Sequence, residues 1–223
     1  MINQKKPPVV IALSELHLRS NIVQGLMHGH GILYLRGGRK YVGEWRFGQR
    51  EGNGKMIYPA QGAASAAGVA TSATYDGSWK GGQRHGIGVL ASADGARSYA
   101  GGWIAGRRSG KGVQHYSNGD HYDGAFGDDR RHGVGRATFR LGAIASFDGT
   151  WADDEPVEGK LVYRNGDTYC GALKHGLPHG SGVLTLANNV IVSGRFADGT
   201  YAPNAKLCIN LPTGKRIVFF VFQ

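Results

Sequence analysis

Two short motifs alternate along this chain with a period of about 23 residues, and that alternation restricts the fold more than any bulk property. The first is aromatic-x-Gly-x-aromatic: Tyr41-x-Gly43-x-Trp45, Tyr75-x-Gly77-x-Trp79, Tyr99-x-Gly101-x-Trp103, Tyr122-x-Gly124-x-Phe126, Phe147-x-Gly149-x-Trp151 and Tyr169-x-Gly171-x-Leu173. The second is Gly-x-Gly followed by alternating apolar residues, as in Gly52-x-Gly54-x-Met56-x-Tyr58, Gly86-x-Gly88-x-Leu90, Gly133-x-Gly135-x-Ala137-x-Phe139 and Gly180-x-Gly182-x-Leu184-x-Leu186. The chain holds 38 glycines in 223 residues, far above the usual ~7%, and the repeats use most of them. Proline is scarce and no Gly-X-Y period is present, so collagen and simple disorder are poor fits.

Each motif has the two-residue alternation of a strand. Tyr75, Gly77 and Trp79 point one way, while Asp76, Ser78 and Lys80 point the other, so one face is aromatic and the other wet. Two such strands joined by a polar Gly-x-x-x-Gly turn make an antiparallel hairpin, and successive hairpins extend its edge. The expected fold is all-β: an elongated, single-layer, twisted antiparallel sheet of successive β-hairpins. With no second layer, large side chains must pack against same-face neighbours. Glycines such as Gly86 and Gly88 let a ring lie flat over the adjacent backbone, so replacing either should displace it. The structural aromatic face comprises Tyr41, Trp45, Tyr75, Trp79, Tyr99, Trp103, Tyr122, Phe126, Phe147, Trp151 and Tyr169.

The pattern YxGxWxxGxxxGxG, with His often before the first glycine of the final pair, resembles the MORN repeat (membrane occupation and recognition nexus). The resemblance covers about residues 18–199 in seven to eight copies. The first copy is degenerate, with Leu18, Ser20 and Ile22 at the motif positions, and the last keeps Val192, Gly194 and Phe196 without a Gly-x-Gly; such ends read as caps. Residues 1–17 form an N-terminal capping segment, as a strand or a short helix. Residues 59–74, PAQGAASAAGVATSAT, read as a surface-loop insertion. Residues 200–223 read as a C-terminal capping hairpin, with strands at 206–211 and 215–222 about Pro212-Thr213-Gly214. The resemblance implies a non-enzymatic scaffold or adaptor that is cytoplasmic and cytoskeleton-associated, as in radial spokes of cilia and flagella. The alternative it implies is a peripheral protein that binds phosphoinositides or anionic membranes.

Charge and composition narrow the chemistry. The formal net charge of +10 favours acidic partners. Two cysteines, Cys170 and Cys208, are too few for a disulfide framework and lack zinc-site spacing, which points to a reducing compartment. The apolar run Val9 to Leu13 is too short for a signal core, and no run approaches the ~20 residues of a membrane span, so a soluble or peripheral protein is expected. Gly86-Ile-Gly88-Val-Leu-Ala91 imitates a dinucleotide fingerprint but lacks the helix that a phosphate site needs. His28, His85, His132 and His179 share one repeat position, yet repeats ~10 Å apart cannot bring neighbouring imidazoles to one ion. No catalytic residue, metal ligand or cofactor is assigned. Nucleic acid is disfavoured because the aromatics are needed for packing.

Two features point to partners. Arg50, Arg84, Arg108 and Arg131 each stand two residues before a Gly-x-Gly pair, which predicts a basic stripe along the turn margin. Such a stripe would dock an acidic protein surface, such as a tubulin tail or an acidic coiled coil, and its reversal to Glu should leave the thermal midpoint nearly unchanged. In the next repeat the turn reads Asp153-Asp154-Glu155-Pro156-Val157-Glu158 and the sign reverses. The apolar Ile217 to Phe222 strand would be hazardous as a bare edge, so it is expected to pair with 206–211 and to offer edge pairing to a partner or a second copy.

Overall fold

A computed structural model of the protein describes residues 9–13, 16–59, 72–202, 206–210 and 216–220, and its described strands form one open antiparallel sheet. The chain divides into two compact units, with the division between Gln114 and His115. The first unit contains β1 (Val9–Leu13), β2 (Leu16–Val23), β3 (Leu26–Tyr34), β4 (Lys40–Arg46), β5 (Gln49–Tyr58), β6 (Ala73–Lys80), β7 (Gln83–Ser92), β8 (Ser98–Ile104) and β9 (Arg107–His115). The second contains β10 (His121–Gly127), β11 (Arg130–Thr138), β12 (Ile144–Ala152), β13 (Glu155–Tyr163), β14 (Thr168–Lys174), β15 (Leu177–Thr185), β16 (Val190–Ala197), β17 (Thr200–Tyr201), β18 (Lys206–Asn210) and β19 (Arg216–Phe220). Apart from one 3-10 turn at Arg36–Gly38, the described residues hold no helix, and none is long and apolar enough to cross a membrane.

Strands adjacent in sequence pair with one another, as the alternating motifs require. In one hairpin Tyr41 faces Met56 and Gly43 faces Gly54; in the next, Tyr75 faces Leu90 and Gly77 faces Gly88. The hairpins turn through two residues, both with positive φ: Phe47-Gly48, Ala105-Gly106 and Asp153-Asp154 are examples. That geometry belongs to the type I′ turn, whose twist matches the strands it joins. The longer Gly-x-x-x-Gly segment expected as a turn is therefore mostly strand. Likewise only Asp153-Asp154 turns the chain in the acidic segment, and Glu155 onward lies in β13.

A bulge follows most of these turns. Gly43 pairs with Gly54 but Trp45 pairs with Arg50, so Glu44 alone stands opposite residues 51–53. The extra residues fit because Gly52, Gly86, Gly133 and Gly180 adopt φ between 65 and 80°, a region open to glycine at little cost. The second glycine of each pair does different work: a Cβ on Gly88 would lie under 3.0 Å from the Tyr75 ring, while one on Gly86 would meet only Ser78. The expectation that both glycines underlie the ring is thus corrected, since the first serves the backbone and the second the packing.

At the N-terminus β1 pairs with β2, so the capping segment contains a strand rather than a helix. At the C-terminus β18 pairs with both β16 and β19, with Cys208 opposite Val218, so the expected pairing of the terminal hairpin is present. The turn 212–214 lies outside the described residues, as do residues 60–71 of the insertion. Strand β6 begins at Ala73, inside the stretch read as loop.

Candidate binding trough

The aromatic face is assembled one ring at a time. Each tyrosine lies across the second glycine of its hairpin and donates its hydroxyl over the bulge to the carbonyl three residues on: Tyr75 to Ser78 at 2.9 Å, Tyr99 to Gly102 at 2.9 Å, Tyr122 to Ala125 at 2.8 Å and Tyr169 to Ala172 at 2.8 Å. The tryptophan of the next hairpin donates its indole N–H to the carbonyl of that covered glycine, as Trp79 does to Gly54 at 2.8 Å and Trp151 to Gly135 at 3.0 Å. The rings meet edge to face, an arrangement favoured by their quadrupoles. Centroids lie 5.3 Å apart for Tyr41 and Trp79, 5.3 Å for Tyr75 and Trp103, 5.4 Å for Tyr122 and Trp151, and 5.1 Å for Phe147 and Trp151. Trp45, Trp79, Trp103, Phe126 and Trp151 are buried, as are Tyr41, Tyr75, Tyr99, Tyr122, Phe147 and Tyr169.

The arginine column stands on this face, within the strands, and not on a solvated turn margin. Arg50 pairs with Trp45, Arg84 with Trp79 and Arg131 with Phe126 across their hairpins. The guanidinium carbon of Arg50 lies 4.4 Å from the Trp79 ring centroid, that of Arg84 4.2 Å from Trp103, and that of Arg131 4.1 Å from Trp151. Arg108 sits 5.7 Å from Tyr99 and donates to Gln114 Oε1 at 3.0 Å. A cation over the face of an indole is held by the ring's negative face.

Each stacked guanidinium also clasps the following turn. Gly106 N–H donates to the Arg84 carbonyl at 2.9 Å, and Arg84 Nη2 donates back to the Gly106 carbonyl at 2.7 Å. Gly82 and Arg50 repeat this exchange. Asp154 N–H donates to the Arg131 carbonyl at 3.0 Å, Arg131 Nη2 returns a bond at 2.9 Å, and Asp154 Oδ1 accepts from Arg131 Nε at 2.9 Å. These side chains therefore contribute to the fold, and the expectation that reversing Arg84, Arg108 and Arg131 would leave thermal stability unchanged does not survive the geometry. Neither the stacking nor the clasp was read from the sequence. The available signal was columnar: arginine recurs until Pro156, where the corresponding tryptophan position of the next repeat becomes Leu173.

In the first unit the aromatic face opens into a groove of about 790 Å³. Leu33, Leu35, Met56, Tyr58 and Leu90 give it apolar walls; Arg39, Arg50 and Arg84 supply cations, and among the described residues no Asp or Glu lines it. Burial raises the tyrosine phenols, Tyr75 and Tyr122 to about 12, and pushes Tyr41 up as well. Burial also lowers Arg50 from its ordinary value. Among the described residues no cluster of three His, Cys, Asp or Glu could hold a metal ion; His132 Nδ1 instead lies 3.8 Å from Asp153, and Cys170 is exposed while Cys208 is buried.

One layer of repeated hairpins, with its core carried on a single aromatic face, defines a β-repeat protein whose units are stapled by tyrosine, tryptophan and glycine. The chain belongs to the MORN-repeat family: the family model matches residues 21–38, 41–62, 75–97, 99–121, 122–140, 147–168 and 169–190. Proteins of this family are in general non-catalytic binding proteins. No curated protein matches the chain. Among solved structures, one match is the SAS-4 (dCPAP) TCP domain in complex with a proline-rich motif of Ana2 (dSTIL) of Drosophila melanogaster. It is 11% identical and covers 91% of this chain and 77% of that chain, with a TM-score of 0.25, a likeness too slight to carry any inference.

Proposed function

We propose that this protein is a non-enzymatic adaptor that holds an extended segment of a protein partner, apolar and acidic in character, along the aromatic trough. The observation that carries the reading is the groove of the first unit, where apolar walls surround three guanidiniums and no carboxylate among the described lining residues competes for them. Arg50 and Arg84 each spend one donor on a turn carbonyl, and a guanidinium has five N–H groups, so donors remain to meet a carboxylate. Stacking on indole holds the planar fork in place before a ligand arrives, which lowers the ordering cost of binding. By family resemblance we place the adaptor in a cytoplasmic cytoskeletal assembly, the ciliary or flagellar axoneme with its radial spokes being the setting proposed.

Arg39 tests the site because it lines the groove, is exposed and donates to the nearby Arg36 carbonyl. A display library of extended peptides should yield sequences in which Asp or Glu accompany apolar residues. Their affinity should fall roughly tenfold in Arg39→Glu and weaken with added salt. Peptides that ignore Arg39→Glu and Leu90→Lys alike would remove the trough reading. Imaging of a tagged copy tests the setting, and a diffuse signal with no association with cytoskeletal structures would count against it. Sedimentation with phosphatidylserine vesicles separates the competing membrane reading, since salt-sensitive pelleting blocked by Arg39→Glu would favour lipid over protein.

A further inference from the structure

The face turned away from the aromatic trough carries single exposed aliphatics in the second unit, Val134 opposite Thr150 and Val183 opposite Cys170, whereas in the first unit several gather on adjacent strands. Along one row of the second unit the register runs Asp123, Arg136, Asp148, Lys160, an alternation of charge in which each residue faces an opposite one. The equivalent row of the first unit runs Ile32, Val42, Lys55, Asp76 and holds one such pair, Lys55 with Asp76 at 3.3 Å. It then turns apolar: Asp76 faces Val89, and Val89 faces Ala100. In the neighbouring row Ile87 faces Gly102.

Ile87 is 70% exposed, Ile104 57% and Val89 43%. They alternate with Gly86, Gly88, Leu90 and Trp103 on the aromatic side, so they add nothing to that core. Ala100 and Gly102 are small, which leaves Ile87 and Val89 standing above a shallow floor. Scattered exposed aliphatics such as Val134 and Val183 need no explanation, but Ile87, Val89 and Ile104, gathered on two adjacent strands, mark a contact surface. The rim is basic: Lys80 ends β6, Lys111 follows the bulge beside Gly102, and Arg107 lies just across the Ala105-Gly106 turn from Ile104, all three exposed. Asp76 is the nearby carboxylate, and Lys55 already neutralises it.

We propose that this outward face of β7 and β8, centred on Ile87 and Val89 and edged by Lys80, Arg107 and Lys111, is a second docking surface that takes an acidic protein segment bearing apolar side chains. Charge complementarity selects the occupant, since Lys80 and Lys111 stand exposed beside an aliphatic centre. An anionic bilayer fits less well, because the patch lacks the Trp and Tyr that anchor at interfaces and sets Asp76 directly beside Val89. The surface is independent of the trough, which lies on the opposite side of the same strands, so the protein would hold two partners at once.

The test is a selection of linear peptides from a display library against the immobilised full chain carrying Arg39→Glu, which weakens the trough. The expected outcome is a set of peptides with interleaved apolar and acidic residues. Their affinity should drop about tenfold or more in Ile87→Glu, and less in Lys80→Glu and Lys111→Glu, with the last two effects fading in high salt. Ile87→Thr serves as the folding control, since an exposed strand position accepts it without moving the thermal midpoint. Selected peptides indifferent to Ile87→Glu would overturn the proposal. So would phosphatidylserine vesicles, or a second copy of the chain seen by light scattering, taking the surface in an Ile87-dependent manner instead. Failure here with binding retained by wild-type chain and lost in Arg39→Glu would leave the trough reading standing, so the two surfaces are judged separately.

Discussion

The two glycines of each Gly-x-Gly pair look equivalent in the sequence and are not. Gly88→Ala places a methyl group under the Tyr75 ring, where no rotamer relieves it, and should destabilise the protein by about 3 kcal/mol. Gly86→Ala forces a left-handed backbone at φ +65 on alanine with only Ser78 nearby, and should cost about 1–2 kcal/mol. Denaturant unfolding at constant m-value ranks the two, and a larger loss for Gly86→Ala would contradict the division of labour. Arginine 84 is tested by Lys, which keeps the charge but not the planar fork: Arg84→Lys should lose about 1–2 kcal/mol, much as Arg84→Ala does. A lysine variant as stable as wild type would reduce the clasp to simple charge. The tyrosines make a prediction in pH. Their folded-state values are raised from about 10, to about 12 for Tyr75 and Tyr122, because burial disfavours the phenolate. The stabilisation this represents is full below pH 10 and is lost as pH rises from 10 to 12, since the unfolded chain releases those protons first. Ultraviolet titration should therefore show late phenolate formation coinciding with alkaline unfolding, whereas phenols titrating near 10 in folded protein would place them in water.

At the scale of the hairpin, the clasp joins each repeat to the turn of the next. Arg131 and Asp154 show its charged version, with both groups partly exposed, so a double-mutant cycle of Arg131→Ala and Asp154→Asn should return a coupling of only about 0.5–1 kcal/mol, reduced by salt. Zero coupling at low salt would mean that the ion pair is incidental to the backbone exchange. The hairpins themselves were legible because period two and glycine spacing are local signals. Pairs such as Tyr75 with Leu90 follow once the strands are laid antiparallel. The bulge was not legible: it shifts register by residues that carry no apolar mark, and it thereby sets Arg50, Arg84 and Arg131, rather than the first glycine of each pair, opposite Trp45, Trp79 and Phe126. The two-residue turns were obscured for a related reason, since Phe47, Ala105 and Asp153 occupy left-handed positions where Asn or Gly would have announced a type I′ turn.

Taken by itself, each unit carries its core on one face, so the opposite face is free to vary, and that is where Ile87 and Val89 depart from the charge ladder. Arginines counted along the chain carry the partner chemistry that the sequence marks, whereas the groove exists only where the side chains of β3, β4, β5 and β7 come together. Partner and setting left no residue-level trace, because a binding surface of this kind needs only shape and charge, which many sequences supply. One feature of the architecture reaches beyond binding. Every long strand of β2–β8 and of β11–β16 bonds to the strand before it and the strand after it, and most of these partners are joined by short turns. Sheets usually fold slowly because distant segments must find one another, and the loop-closure entropy falls due before any contact rewards it. Here that search is almost absent. Stopped-flow refolding should give a main phase in milliseconds or faster, nearer to helical bundles than to β-sandwiches, and a main phase of seconds would show that the repeats do not close independently of distant parts of the chain. A protein assembled from neighbours alone can also open from neighbours alone, so proteolytic or exchange-detected fraying should start at the terminal hairpins and progress inward one repeat at a time.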